Sequence, residues 1–133
     1  MSINANLQPQ VKDYAVIRNN KRYAGVHLII DLYGASRLDD IDHIENTLRH
    51  CVDEAGATLL HIHLHPFKPN GISGVAVIAE SHITVHTWPE DNYVAFDVFM
   101  CGNTDPNVCI DIMKNAFSAE RVEVQEILRG EQK

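Results

Sequence analysis

Apolar and polar residues along this chain follow two periods, and the switches between them divide it into elements. Val26-His27-Leu28-Ile29-Ile30-Asp31-Leu32-Tyr33 is a mostly apolar run that predicts a first strand. Leu38, Ile41, Ile44, Leu48, Cys51, Val52 and Ala55 then recur at the spacing of one helix face, and Gly56 can end that helix. Strand patterning returns over residues 58–65, and Pro66, Pro69, Asn70 and Gly71 predict a loop. Two β-branched runs follow at 74–78 and 83–85, with a further strand at 93–100. Val108, Cys109, Ile112, Met113, Ala116 and Phe117 predict a second helix over about residues 106–118. Alternation over 121–127 predicts a last strand with one wet face.

The order β-α-β-β-β-β-α-β predicts an α+β, two-layer sandwich: a largely antiparallel sheet with two helices on one face. The other face then needs cover, which a second copy could supply by dimerising into a larger sandwich. Residues 1–22 are polar and lack a sustained period, ending in Arg18-Asn19-Asn20-Lys21-Arg22. They are expected to form an N-terminal arm, leaving 23–133 as a single domain.

Composition narrows the function classes. The formal charge of −7 argues against nucleic acid or an anionic membrane surface as partner. No apolar run approaches the ~20 residues that cross a bilayer, and the start shows no secretory pattern. Three cysteines, Cys51, Cys101 and Cys109, lack metal-site spacing and predict free thiols in a reducing cytoplasm.

The candidate chemistry lies in Ala79-Glu80-Ser81-His82, between the two β-branched runs. A Glu-Ser-His bend is not ordinary hairpin chemistry, which asks for Gly, Asn or Asp. A serine hydroxyl at a tight bend lies near its own preceding carbonyl, the geometry for an N→O acyl shift. The ester so formed needs oxyanion stabilisation and a base. Removal of the Ser81 α-proton would then break the chain after Glu80 and leave dehydroalanine, which hydrolyses to a pyruvoyl group. That ketone forms a Schiff base with an amine and acts as an electron sink. His86 lies on the same strand as Ser81, and Ser73 is expected to return to the same end of the hairpin. Cys101 precedes Gly102 at a strand end, where a thiol can supply a proton, whereas Cys51 and Cys109 sit on apolar helix faces. A rival reading takes the histidines as zinc ligands: His61, His63 and His65 share one strand face, and so do His82 and His86. That rival is a non-catalytic, metal-binding module; solvated imidazoles explain the pattern without a metal.

At these residues the chain resembles the short prokaryotic S-adenosylmethionine decarboxylases, which use a pyruvoyl group. The resemblance is densest over Pro69-Asn70-Gly71-Ile72-Ser73-Gly74, Ala79-Glu80-Ser81-His82-Ile83-Thr84-Val85-His86-Thr87-Trp88-Pro89-Glu90 and Asp97-Val98-Phe99-Met100-Cys101-Gly102. It implies cleavage between Glu80 and Ser81 into 1–80 and 81–133, with Ser81 the pyruvoyl precursor. His86 is implied as the processing base, with Ser73 assisting, and Cys101 as the catalytic proton donor. Phe67 falls where the family stacks an aromatic on adenine, and Glu90 where a carboxylate holds the ribose. The resemblance further implies a homodimer with active sites at the interface and a decarboxylated product that feeds spermidine synthesis. Asp91-Asn92-Tyr93 stands where the family usually has Tyr-Gly-Tyr, Asn70 where it often has Tyr, and Met100 where it has Thr. The first two remove aromatic surface from the pocket rim and add a carboxylate, which leaves L-arginine or L-ornithine open as alternative substrates.

Overall fold

The computed structural model describes residues 15–132. It contains β1 (Val16–Arg18), β2 (Lys21–Tyr23), β3 (Gly25–Tyr33), α1 (Ile41–Ala55), β4 (Leu59–Pro66), β5 (Ile72–Ile78), β6 (Ser81–Trp88), β7 (Tyr93–Met100), α2 (Val108–Ala116) and β8 (Arg121–Arg129). Six strands form one antiparallel sheet in the order β4-β5-β6-β7-β3-β8. The α+β sandwich is therefore as expected. The two strands that flank the Ala79-Glu80 turn run longer than their β-branched centres suggested, because neighbours on both sides pair the polar ends.

Alternation decides what each sheet face carries. Val26, Leu28, Ile30 and Leu32 of β3 are buried, as are Ile83 and Val85 of β6 and Val94, Phe96, Val98 and Met100 of β7. Both helices lie against that face. α1 contributes Ile44, Leu48, Cys51, Val52 and Ala55; α2 contributes Cys109 and Met113, followed by Phe117. Asp40 caps α1 by accepting the His43 N–H at 3.1 Å, and Gly56 closes it at φ 76°, a left-handed conformation in which glycine is unstrained. Thr87 belongs to the dry face but is satisfied there: its hydroxyl accepts from Ile72 N–H and donates to the Leu38 carbonyl. The opposite face carries His27, His82, Thr84, His86, Asp97 and Phe99, and among the described residues no element packs over it.

The stretch expected to be an irregular arm is partly structured. Residues 1–14 lie outside the described residues, but β1 and β2 form a hairpin. Its turn is Asn19-Asn20, both at positive φ (54° and 64°), the backbone that a two-residue hairpin turn requires and asparagine tolerates. Arg18 pairs with Glu126 at 3.3 Å and fastens the hairpin beside β8.

Phe117 joins the layers: it is fully buried, with Phe96 at 5.7 Å and the His43 ring edge-on at 5.2 Å. Phe117→Ala is expected to cost about 3–5 kcal/mol, read as a lower urea midpoint with little change in slope.

Candidate active site

The turn between β5 and β6 consists of Ala79 and Glu80 alone, because Ser81 is already paired with Ile78 and Met100. The bend is thus one residue earlier than a Glu-Ser-His turn would place it. Ser81 is instead the first residue of a strand, at φ 150°, where a side chain is strained by about 1–3 kcal/mol. Two backbone tethers hold the turn to the segment leading into β4. Ala79 N–H donates to the Thr58 carbonyl at 2.9 Å, and Thr58 N–H donates to the Glu80 carboxylate at 3.0 Å. That carboxylate belongs to a residue only 9% exposed.

Cys101 reaches the same turn from the end of β7. Its S–H donates to the Glu80 carbonyl at 3.1 Å, and the Thr104 hydroxyl holds the Cys101 carbonyl at 2.8 Å. Burial, and then the Glu80 charge, push the Cys101 thiol up, so it is a proton-bearing group at neutral pH. Cys51 and Cys109 are buried between the two helices.

His86 and Ser73 lie elsewhere. They oppose each other across β5 and β6, and Ser73 Oγ meets His86 Nδ1 at 2.9 Å. Five residues of strand separate Ser81 from His86, about 16 Å, and an odd number puts the two side chains on opposite sides of the pleat. The expectation that Ser73 returns to the Ser81 end is therefore corrected: a hairpin that turns at 79–80 sends residue 73 to its far end. Around His86 is an open cavity of about 330 Å³ lined by Phe67, Asn70, Gly71, Ser73, Thr87, Trp88 and Glu90. Gly71, at φ 102°, lets the chain bend into this wall, and its N–H donates to Asp39 at 2.9 Å. Phe67 is 48% exposed and Trp88 41%, so both present ring surface to a ligand or a partner. Trp88 stacks against Tyr93 at the rim, with ring centres 5.3 Å apart.

The expected residues thus form two groups at opposite ends of β6: Glu80, Ser81 and Cys101 at one, Phe67, Ser73, His86 and Glu90 at the other. Between them, on the uncovered face, is a polar network that sequence reasoning missed. Arg129 donates to His27 Nδ1 at 3.2 Å, which leaves the ring proton on Nε2, 2.6 Å from Asp97 Oδ2. His82 Nε2 lies 3.1 Å from the same oxygen, and the Thr84 hydroxyl donates to the other. Register could have flagged it, since Thr84 and Asp97 are cross-strand partners, as are His82 and Phe99.

Among the described residues, His27, His82 and Asp97 are also the group of possible metal ligands that comes together, with ligand atoms within 4.8 Å. A cation on His27 Nε2 would displace a proton already shared with Asp97 and leave Nδ1 against a guanidinium. The donor set therefore fits hydrogen bonding better than metal binding. His61, His63 and His65 lie exposed along the edge strand β4, on the same sheet face. Tyr93 completes the polar face by donating to Asp31; burial, then that hydrogen bond, push its hydroxyl up to about 12.

Burial by itself would raise the Asp97 carboxyl, but hydrogen bonds from Thr84, His27 and His82 outweigh it and hold it below the usual range. A depressed carboxyl contributes stability above its unfolded value of ~3.9 and loses it as pH falls through the folded value. Melting temperatures from pH 5 to 2 should therefore fall less steeply in Asp97→Asn than in the parent, after an initial loss at pH 5.

Comparison with known proteins identifies the family. The sequence profile of the S-adenosylmethionine decarboxylase family matches residues 26–130. An S-adenosylmethionine decarboxylase proenzyme of Thermomicrobium roseum is 40% identical over 108 residues, covering 80% of this chain and 93% of that protein. One from Methanococcus vannielii is 45% identical over 109 residues, covering 80% and 89%. The crystal structure of the adenosylmethionine decarboxylase of Aquifex aeolicus superposes with a TM-score of 0.76 at 33% identity, covering 84% of this chain and 94% of that one. The matched segment holds the whole six-stranded sheet except the first residue of β3, both helices and every residue of the two groups, and leaves the N-terminal hairpin outside it. The chain belongs to the S-adenosylmethionine decarboxylase family.

Proposed function

We propose that the chain is a self-cleaving decarboxylase of S-adenosylmethionine, whose product is the aminopropyl donor for spermidine synthesis. The observation that carries this is the Cys101 S–H on the Glu80 carbonyl, beside a strained Ser81. Attack by Ser81 Oγ on that carbonyl carbon places negative charge on the oxygen that Cys101 already faces, so the thiol is a preformed oxyanion donor. Collapse breaks the C–N bond and leaves an ester. Loss of the Ser81 α-proton then expels the Glu80 carboxylate with the C–O electron pair, and water replaces the resulting enamine nitrogen as ammonia leaves.

The pyruvoyl group so made at residue 81 would supply a ketone that condenses with the substrate amine and takes up the electrons released with carbon dioxide. The residues present fit it: position 81 begins a strand, is free of the core, and borders a protonated thiol. Cys101 then delivers a proton to the substrate's α-carbon. Phe67 offers a face for adenine and Glu90 a carboxylate for the ribose hydroxyls.

Those two residues lie with Ser73 and His86 at the far end of β6, and His86 is ~16 Å from Ser81 within one chain, too far to act on it. A second copy resolves this. A two-fold axis lying between two uncovered sheet faces, level with Thr84, would place the Ser81 end of each chain over the His86 end of the other. We therefore read the enzyme as a homodimer with two composite sites, in which the partner copy supplies the processing base. The same pairing would cover Trp88 and the His27–Asp97–His82 network. The free thiols suit a reducing compartment such as the cytoplasm, and among the described residues no helix is long and apolar enough to cross a membrane.

The purified parent should separate under denaturing conditions into 1–80 and 81–133, the latter with a blocked N-terminus, while Ser81→Ala stays one chain. A Ser81→Ala protein that still splits after Glu80 would rule out the internal ester. Carbon dioxide release should be found with S-adenosylmethionine and not with L-arginine or L-ornithine; release from either amino acid would instead select the basic-substrate alternative.

His86→Ala is expected to stall at the ester, so that hydroxylamine cuts it at Glu80. Co-expressed with Ser81→Ala, it should recover about a quarter of parental cleavage, because half the dimers are mixed and each holds one intact site. No recovery in mixed dimers would mean that His86 acts within its own chain.

A further inference from the structure

The buried carboxylate of Glu80 stands in the site without a part in the chemistry so far assigned. We infer that the Glu80 side chain is the positioning group of the self-cleavage: by anchoring on Thr58 N–H it holds the scissile carbonyl against Cys101 before the cut, and holds the newly made carboxylate there afterwards. The inference rests on the self-cleavage reading above and adds to it a residue whose own side chain never reacts.

Three features converge on it. The turn is too short to hold itself: with two residues, the orientation of the Glu80 carbonyl depends on what grips Ala79 and Glu80 from outside. Both grips come from Thr58, whose carbonyl takes Ala79 N–H at 2.9 Å and whose N–H goes to Glu80 at 3.0 Å. A carboxylate at 9% residue exposure pays a desolvation cost that a surface turn residue would avoid, so its burial needs a function or a strong partner. A strained Ser81 would relax by rotating the Ala79–Glu80 segment, and the Thr58 clamp opposes that rotation.

The clamp has a second effect through charge. The Glu80 carboxylate helps to keep the Cys101 sulfur protonated, together with burial. A thiolate at this point could neither donate to the developing oxyanion nor protonate the decarboxylated substrate, and it would attack an adjacent ketone. Elimination leaves Glu80 with a second, α-carboxylate 3 Å or so from the sulfur, provided the side chain still anchors it. The cut then reinforces the acid form of Cys101 that turnover needs.

Glu80→Gln and Glu80→Ala separate the two effects. Glutamine keeps an oxygen for Thr58 N–H and loses the charge; alanine loses both. Cleavage followed by mass should slow by ~10-fold or more in Glu80→Ala, the loss of one buried hydrogen bond to a charged group, and by less than ~3-fold in Glu80→Gln. Because Glu80→Ala could fail to fold, the clamp is also read without cleavage, in the Ser81→Ala background. There, Thr58 amide exchange should be slow with Glu or Gln at 80 and fast with Ala. The pH midpoint of Cys101 alkylation by iodoacetamide should move lower with either substitution.

Equal cleavage of Glu80→Ala and parent, or a Thr58 amide as protected with Ala as with Glu, would overturn the clamp. Glutamine as slow as alanine would also overturn it, since the acceptor would then not be what matters. An unshifted alkylation midpoint would overturn the effect on Cys101. A parent chain that never cleaves would sink the functional reading, and the exchange and alkylation results would still decide the clamp by themselves.

Discussion

The strict alternation of β6 is the constraint from which the rest follows. Ile83, Val85 and Thr87 are held under the helices, so His82, Thr84, His86 and Trp88 have no choice but the opposite face. A slip of one residue would bury four polar or ring-bearing side chains and expose the two aliphatic ones, which makes the register costly to change. Everything chemical in the molecule is placed by that strand. One end presents the serine, the other the histidine, and the cross-strand partner Asp97 ties the middle to β7 and β3.

The uncovered face is polar in an organised way. Asp97 gathers three donors, and the Tyr93 hydroxyl donates a hydrogen bond to Asp31, with Trp88, Tyr93, Tyr33 and Arg121 stacked in sequence across four strands. The Asp97 and Asp31 carboxylates are thus satisfied within the chain, so covering this part of the face would leave neither charge unpaired. That makes it suited to meet another protein surface, in a way that a face of unpaired carboxylates would not be.

Much of the architecture was legible in the residues. The helix face of Ile44, Leu48, Cys51 and Val52 and the alternation of β3 and β8 are local patterns, and local patterns survive folding when burial agrees with them. The motif around Ser81 was legible as chemistry too. What was not legible is where its parts go. Ser73 was expected at the Ser81 end of the hairpin, whereas an antiparallel hairpin separates residues in proportion to their distance from its turn. The contact of Cys101 with the Glu80 carbonyl joins the far ends of two strands and depends on register, which no single segment encodes. The N-terminal hairpin was missed for a simpler cause: its signal is the Asn19-Asn20 pair, and the strands it joins are only three residues long.

The two-residue connection between β5 and β6 has one more consequence. While it is intact, these strands zip from a closed end, and the molecule folds as a single chain whose contacts need no encounter between separate pieces. Severing it at the proposed bond removes the Ser81 N–H and leaves every rung from His82 onward in place, so the folded form need hardly notice. The unfolded form changes entirely: two pieces diffuse apart, and renaturation becomes a second-order reaction that slows with dilution. Maturation of this kind trades a reversible fold for a persistent one, and the lifetime of the mature protein is then governed by the height of its unfolding barrier rather than by its equilibrium stability.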